Sequence, residues 1–494
     1  MTFYRKKIVF TLIVMSFITS IILVSKNWRE AKKNPDSVTN LYHCPDCNVV
    51  LISMTNLRYD HMSISGYPRK TTPNLDVFAQ GSIVFDNAFS HASWTLPEIM
   101  SLYTSLYPYQ HGVMSRYDGS TLSKDTPTLV DILNVQGYNT AVFSGGYDYY
   151  TEFGLSNRFK TYEECARGQN ESYPRQNGPL VNGPNQYGEL SCTVPKAITW
   201  LGQHAKEKFF IHVQGFDVHC PFSQKPTTIF DPTYTGTIDY SRCLWTFEKT
   251  EPEIINGQKY YPVYSAKTDP PQTVLLSPKD VTQLIARYDE GIYYADESIG
   301  ALLKTIQQLK LDNRTIIIFT SEHGDIFGKY GRFMRGGPLR GTFYDDVLHI
   351  PLIIKVPGVA PVKRSTLTSH IDVTPTILDL LGIATNASFE GKSLRPVLTT
   401  DIEINDAVFA GSKFTPSEDS LYFNKWSYIN VIRTKDWKLI QETVQDQSTK
   451  KTIVTEELFQ VGVDKEEAVN LAKTNPTMLK QLRQKLDTWV KRVQ

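Results

Sequence analysis

Three polar stretches follow continuous apolar runs, and they carry hydroxyl, carboxylate and imidazole groups, the side chains used to move protons or hold metals. Thr55 and Asn56 come after residues 49–53. The stretch 215–219, ending in His219, comes after residues 209–213, and Glu322 and His323 come after residues 315–320. A fourth candidate is Cys44-Pro-Asp-Cys47. A C-x-x-C pair can be redox-active or form half of a zinc site. No second C-x-x-C or paired histidine accompanies it, so the spacing favours a structural disulfide.

The surrounding patterns define the elements that must position these groups. Residues 49–53, 138–143, 209–213 and 315–320 read as strands buried on both faces. Residues 126–137 and 285–309 carry apolar side chains at helical spacing. Strands alternating with helices predict an α/β fold, a large and mostly parallel sheet sandwiched by helices. Ligand sites in such sheets lie at the carboxyl ends of strands, where the three polar stretches fall. Segments 168–187 and 221–271 are rich in Pro, Gly, Asn and Tyr and read as surface insertions. Beyond residue 382 the pattern changes to antiparallel strands, with Trp437 to Ile440 and Glu457 to Phe459 among them, and a closing helix over 477–493. This is a small C-terminal α+β subdomain.

Composition excludes some partners. The 494 residues hold 52 Lys plus Arg against 51 Asp plus Glu, a net charge of +1, with no basic stripe. Nucleic acid is not an expected partner. Arg5, Lys6 and Lys7 precede an apolar run over 8–24 with no small-residue cleavage site after it. That run is just long enough to cross a bilayer, and predicts a retained single-pass anchor with the bulk of the chain extracytoplasmic. The expected organisation is therefore 1–25 cytoplasmic tip and anchor, 26–47 stem, 48–385 main domain and 386–494 C-terminal subdomain. Six cysteines in an exported chain permit disulfides, with Cys165–Cys192 and Cys220–Cys243 plausible by proximity. Asn170, Asn313 and Asn386 are N-glycosylation acceptors if the export route is eukaryotic.

The motifs then identify a family. NLRYDHMSISGYPRKTTPNLD, WTLPEIMSLYTSLYPYQHGV, FDVHCPF, YYADESIGALL, FTSEHGD, GTFYDDVLHIPLIIKVPG, HIDVTPTILDLLGI, WKLI and ELFQ occur in order. Over nearly all of residues 48–494 the chain resembles sulfatases of the alkaline phosphatase superfamily. The resemblance implies their fold, a divalent metal, and a Cys or Ser oxidised to formylglycine within C-x-P-x-R. The matching stretch here is Thr95-Leu96-Pro97-Glu98-Ile99. Threonine cannot become formylglycine, and Ile99 stands at the arginine position. Thr95 is therefore either a nucleophile activated by a base or metal, as in related phosphotransferases of the superfamily, or a helix cap.

The resemblance also implies metal ligands at Thr55, Asn56, Glu322 and His323, for calcium or zinc. Thr55 supplies no negative charge unless Asp60 or Glu98 substitutes for it. His219 matches the histidine of a D-x-H motif, and Arg340 lies near a usual lysine or histidine position. The family's other lysine and histidine, after Gly137-Tyr138-Asn139-Thr140, are absent. Arg58, Asp60, His111, Asp345, Asp346 and Asp372 match framework positions. Three functions follow from this set. The first is a catalytically impaired sulfatase-like protein. The second is a metal-dependent sulfate or phosphate ester hydrolase or transferase with Thr95 as nucleophile. The third is a module binding anionic glycans through His219, Arg340 and the insertions. The ligand expected across these readings is a sulfated or phosphorylated glycan or lipid.

Overall fold

The computed structural model describes residues 42–116, 119–146, 151–165, 188–222, 228–240, 243–246, 249–265, 272–336, 341–414, 425–446 and 449–494. Among them no helix is long and apolar enough to cross a membrane. The apolar run 8–24, residues 26–41 of the stem, Asn170 and the insertion 168–187 lie outside the described residues.

The main sheet has eight strands. In chain order they are β1 (Asn48–Met54), β2 (Ile83–Phe89), β3 (Asn139–Ser144), β4 (Thr161–Glu164), β5 (Phe209–Gly215), then, after the insertion, β10 (Thr315–Thr320), β11 (His349–Lys355) and β12 (Val362–Ser369). Their spatial order is β12-β2-β11-β10-β1-β5-β3-β4. β11 runs antiparallel to both of its neighbours, β10 and β2, and the other pairs are parallel. The sheet is thus mixed, with the expected parallel centre.

The continuous apolar runs exist because both faces are covered. Val49 and Leu51 of β1 and Ile316 and Ile318 of β10 enter one core, with Leu96, Ile99 and Met100 of the helix Thr95–Thr104. The alternate residues Val50, Ile52, Ile317 and Phe319 enter the other core, with Leu284, Tyr288 and Ile292 of the long helix Pro278–Gln308. That helix begins earlier than its apolar period suggests, because Ser277 and Asp280 form a capping box around Pro278. The helix expected over 126–137 is shorter, Leu129–Val135, and starts where Thr128 accepts a hydrogen bond from the Asp131 amide.

The insertion 221–271 is not the irregular loop its composition suggests. It holds β6 (Leu244–Trp245), β7 (Glu253–Ile255) and β8 (Gln258–Ser265), and β9 (Gln272–Leu276) pairs with β8 just beyond it. Asn256 and Gly257 join β7 to β8 with φ of 50° and 76°, the left-handed pair that a two-residue hairpin turn requires. The C-terminal subdomain is the antiparallel sheet β13 (Val408–Phe414), β14 (Lys425–Arg433), β15 (Lys438–Asp446) and β16 (Thr452–Phe459). The closing helix Pro476–Val493 packs Leu482, Leu486 and Trp489 on Ile432, Leu439 and Leu458. All six cysteines pair as Cys44–Cys47, Cys165–Cys192 and Cys220–Cys243.

Candidate functional site

The carboxyl ends of β3, β5, β1 and β10 lie side by side, and the amino end of the helix Thr95–Thr104 meets them. Thr55 stays next to β5 through its amide, which donates to Gly215 O at 2.9 Å. Ser53 lies opposite Gln214 in the parallel register of β1 and β5. Two chains of hydrogen bonds then converge on one carboxylate. Ser53 Oγ donates to Glu322 Oε1 at 2.7 Å, and Thr55 Oγ1 donates to Glu322 Oε2 at 3.0 Å. Gln214 Nε2 donates to Thr55 Oγ1 at 3.0 Å and reaches Glu322 Oε1 at 3.4 Å. Behind Gln214, Ser144 Oγ donates to its Oε1 at 3.0 Å and accepts from the Gly146 amide at 2.9 Å.

The direction of the Ser53 branch follows from its ends. Because Ser53 gives its proton to Glu322, the 2.9 Å contact from His212 Nε2 must donate to Ser53 Oγ. His212 Nδ1 then accepts from Tyr103 OH at 2.7 Å. Burial holds the His212 ring neutral by lowering its pKa to about 3. Burial also pushes the Glu322 carboxyl up, against the pull of Ser53 and Thr55.

Thr95 and His323 form a second pair. His323 Nδ1 is 2.9 Å from Gly324 O, a carbonyl that can only accept, so the ring proton sits on Nδ1. His323 Nε2 therefore accepts from Thr95 Oγ1 at 3.0 Å. Burial and the nearby Arg335 charge lower the basicity of His323 well below the usual range. His219 lies on the same side: its Nδ1 donates to Cys220 O at 2.5 Å, and its Nε2 accepts from Arg335 Nη2 at 3.0 Å. Arg340 lies outside the described residues.

The structure thus brings Thr55 together with Glu322, and Thr95 with His323. It turns Asn56 elsewhere: held at φ 71°, Asn56 donates through Nδ2 to Asp325 Oδ2 at 2.9 Å. Neither acid that might have replaced charge at Thr55 is available. Asp60 makes a two-pronged pair with Arg58. Glu98 is fully buried, taking the His91 and Ala92 amides at 2.8 and 2.9 Å and His370 Nδ1 at 2.7 Å. Ile99 is fully buried in the core.

The donor set does not suit a divalent ion. Calcium needs several anionic oxygens and zinc needs a converging set of charged or imidazole ligands. Here one carboxylate is already bonded by neutral donors, and one of the two Thr55 lone pairs takes the Gln214 amide. The buried Asn56 Oδ1 has no hydrogen-bond partner, but it adds only a neutral carbonyl, beside an Asp325 already bonded by the Ile326 and Arg335 amides. Among the described residues no group of three or more His, Cys, Asp or Glu is arranged to hold a metal.

The residues that sequence reasoning missed are Gln214, His212, Ser53, Tyr103, Ser144 and Arg335. The first three had a signal: each is a polar residue inside a fully buried, mostly apolar strand.

Comparison with known proteins agrees with this architecture. The relatives include arylsulfatase K of Xenopus laevis, 23% identical over 84% of this chain and 77% of the relative. They also include an ulvan-active sulfatase of Formosa agariphila, 26% identical over 74% of this chain and 69% of the relative. Among solved structures, a 2-O GAG sulfatase superposes with a TM-score of 0.65 at 19% identity, covering 91% of this chain and 92% of that one. The phosphonate monoester hydrolase of Agrobacterium radiobacter gives 0.64 at 19% identity, covering 91% and 96%. A model described as N-sulphoglucosamine sulphohydrolase, C-terminal, matches residues 339–493. With the sulfatase family model matching residues 47–383, across every strand of the main sheet, the chain belongs to the sulfatase family.

Proposed function

We propose that this protein is a membrane-anchored, extracytoplasmic sulfatase-family member that does not hydrolyse sulfate esters by the family's formylglycine route. Its fold is kept for holding a sulfated or phosphorylated glycan or lipid group. The observation that carries this reading is the nucleophile position itself. It holds an unmodifiable threonine whose hydroxyl is bonded to a neutral imidazole, with a buried isoleucine where the family motif has arginine. The relative named as an ulvan-active sulfatase supports a sulfated group as part of the ligand. The apolar run 8–24 behind Arg5, Lys6 and Lys7 supports the anchor. The test is turnover by the full chain of an aryl sulfate, an aryl phosphate and a bis-aryl phosphodiester. The expected rate is no higher than that of Thr95→Ala. Recovery of the chain in the soluble fraction without removal of residues 1–41 would overturn the anchor.

The Thr95–His323 contact also favours a second reading, a slow ester hydrolase or transferase. In it the Thr95 oxygen attacks sulfur or phosphorus, His323 Nε2 takes the hydroxyl proton, and the ester oxygen leaves with that proton. Water then releases the bound group from Thr95. Turnover abolished by both Thr95→Ala and His323→Gln would establish this reading over the first.

A further inference from the structure

We infer that in this chain a hydrogen-bond relay centred on Gln214 occupies the place where the family's divalent ion would bind, so that the folded protein needs no metal. The observation is the direction in which the protons run, together with the neutrality of every donor. Along one branch the protons run from Tyr103 to His212, to Ser53 and to Glu322. Along the other they run from Ser144 to Gln214, to Thr55 and to Glu322. Each of the two hydroxyls that reach Glu322 donates its one proton to that carboxylate and accepts one hydrogen bond, so all that either could still offer an ion is a single neutral lone pair. Every donor to the carboxylate is neutral, and the group carries at most one negative charge. A divalent ion placed there would be stripped of water without the anionic oxygens that repay its dehydration.

Gln214 is the centre of this arrangement because its two ends do different work. Its amide nitrogen supplies the donors that a cation's charge would otherwise supply, and its carbonyl is held by Ser144. Thr55 is the hinge position, since it alone links Gln214 to Glu322 Oε2. Replacing Thr55 with aspartate sets two carboxylates side by side facing the Gln214 amide, the minimum change that turns a neutral relay into an anionic cage.

The inference shares residues with the reading above but not its readout, since it concerns ion content and unfolding rather than turnover. The full chain, purified without chelator, is examined by elemental analysis and by thermal unfolding with EDTA, calcium or zinc. The expected result is no stoichiometric ion and a Tm that none of the additions moves. Thr55→Asp is expected to unfold at lower temperature and to regain stability with calcium only. Should that variant not fold, Thr55→Val and Gln214→Leu serve instead. Each is expected to lower Tm in a metal-independent way, and the double variant to lose less than the two single losses added together. One tightly held ion per wild-type chain, a fall in wild-type Tm with EDTA, or unchanged stability in Thr55→Val and Gln214→Leu would each overturn the inference.

Discussion

Two buried polar regions lie close together in this molecule and are built on opposite principles. At the strand ends, Glu322 is surrounded by hydroxyls, an amide and neutral imidazoles. At the junction with the C-terminal sheet, basic and acidic groups alternate in one chain. Asp60 pairs with Arg58 at 2.6 Å and Arg58 with Asp346 at 2.8 Å; Asp346 pairs with Lys329, and Lys329 lies 3.5 Å from Glu467. Glu467 in turn pairs with Lys438 at 2.6 Å, Lys438 with Asp345 at 2.7 Å, and Asp345 with Arg433 at 3.1 Å. Four cations answer four anions. Arg58 touches both regions, since its Nη1 also donates to Asp325 O at 3.2 Å. The difference shows what each buried carboxylate needs. Asp345 and Asp346 have cations supplied by the chain itself. Glu322 has none, and is accommodated by accepting hydrogen bonds instead.

The sharpest way to break the comparison is to remove one charge at the junction. Lys438→Met leaves Asp345 and Glu467 buried beside a vanished partner, and is expected to cost about 3–5 kcal/mol, read by chemical denaturation. A loss under ~1 kcal/mol would mean that charge does not hold the C-terminal sheet to the main domain. The matching change in the neutral region is Ser53→Ala. It strips Glu322 of one donor and His212 of its acceptor, at an expected cost of about 1–3 kcal/mol. If Ser53→Ala cost more than Lys438→Met, the relay and not the ion chain would be the dominant restraint.

The two regions also differ in how far the sequence revealed them. The sheet was legible because strands covered on both faces carry continuous apolar runs, as at β1 and β10. The contact of Thr55 with Glu322 lies where the rule that sites sit at strand ends puts a candidate site. The wiring around it was not legible. The Ser53–Glu322 and Thr55–Gln214 contacts join residues 269 and 159 positions apart, and depend on which strands became neighbours and in what register. Arg335 carries no motif of its own, and only the fold shows that it reaches His219. Lys438 was invisible for a simpler reason. A lysine within a strand reads as facing solvent, and only the packing of β15 against Asp345 and Glu467 buries it completely.

A pH titration sharpens the contrast further. Burial pushes the Glu467 carboxyl up to about 7, with Lys438 and Lys329 pulling it back and Asp345 adding to the rise. Between the ordinary glutamate value of 4.5 and about 7, the folded chain holds a proton that the unfolded chain has lost. Raising pH through that window therefore favours unfolding, and the contribution of Glu467 falls as pH rises. Asp345 runs the other way. Although burial opposes it, Lys438 and Arg433 hold its carboxyl far below the usual range, so its stabilising effect is lost only in strong acid. Glu467→Gln should flatten the stability profile between 4.5 and about 7 and leave the acid limb in place; an unchanged profile would contradict the assignment.

The smallest effect is expected at a second lysine that contacts the same sheet. Lys249, from the insertion, pairs with Glu457 of β16 and lies over the Tyr330 ring at 4.5 Å. Its side chain is 44% exposed, whereas that of Lys438 is fully buried. Water already solvates Lys249, and Glu457 keeps Tyr344 OH at 2.7 Å when the lysine is gone. Lys249→Ala should therefore cost less than about 1 kcal/mol, and salt should erase most of that. A loss approaching that of Lys438→Met would show that the insertion, and not the buried ion chain, clamps the C-terminal sheet. The contrast between neutral and charged regions would then have to be redrawn around the Lys249 contact.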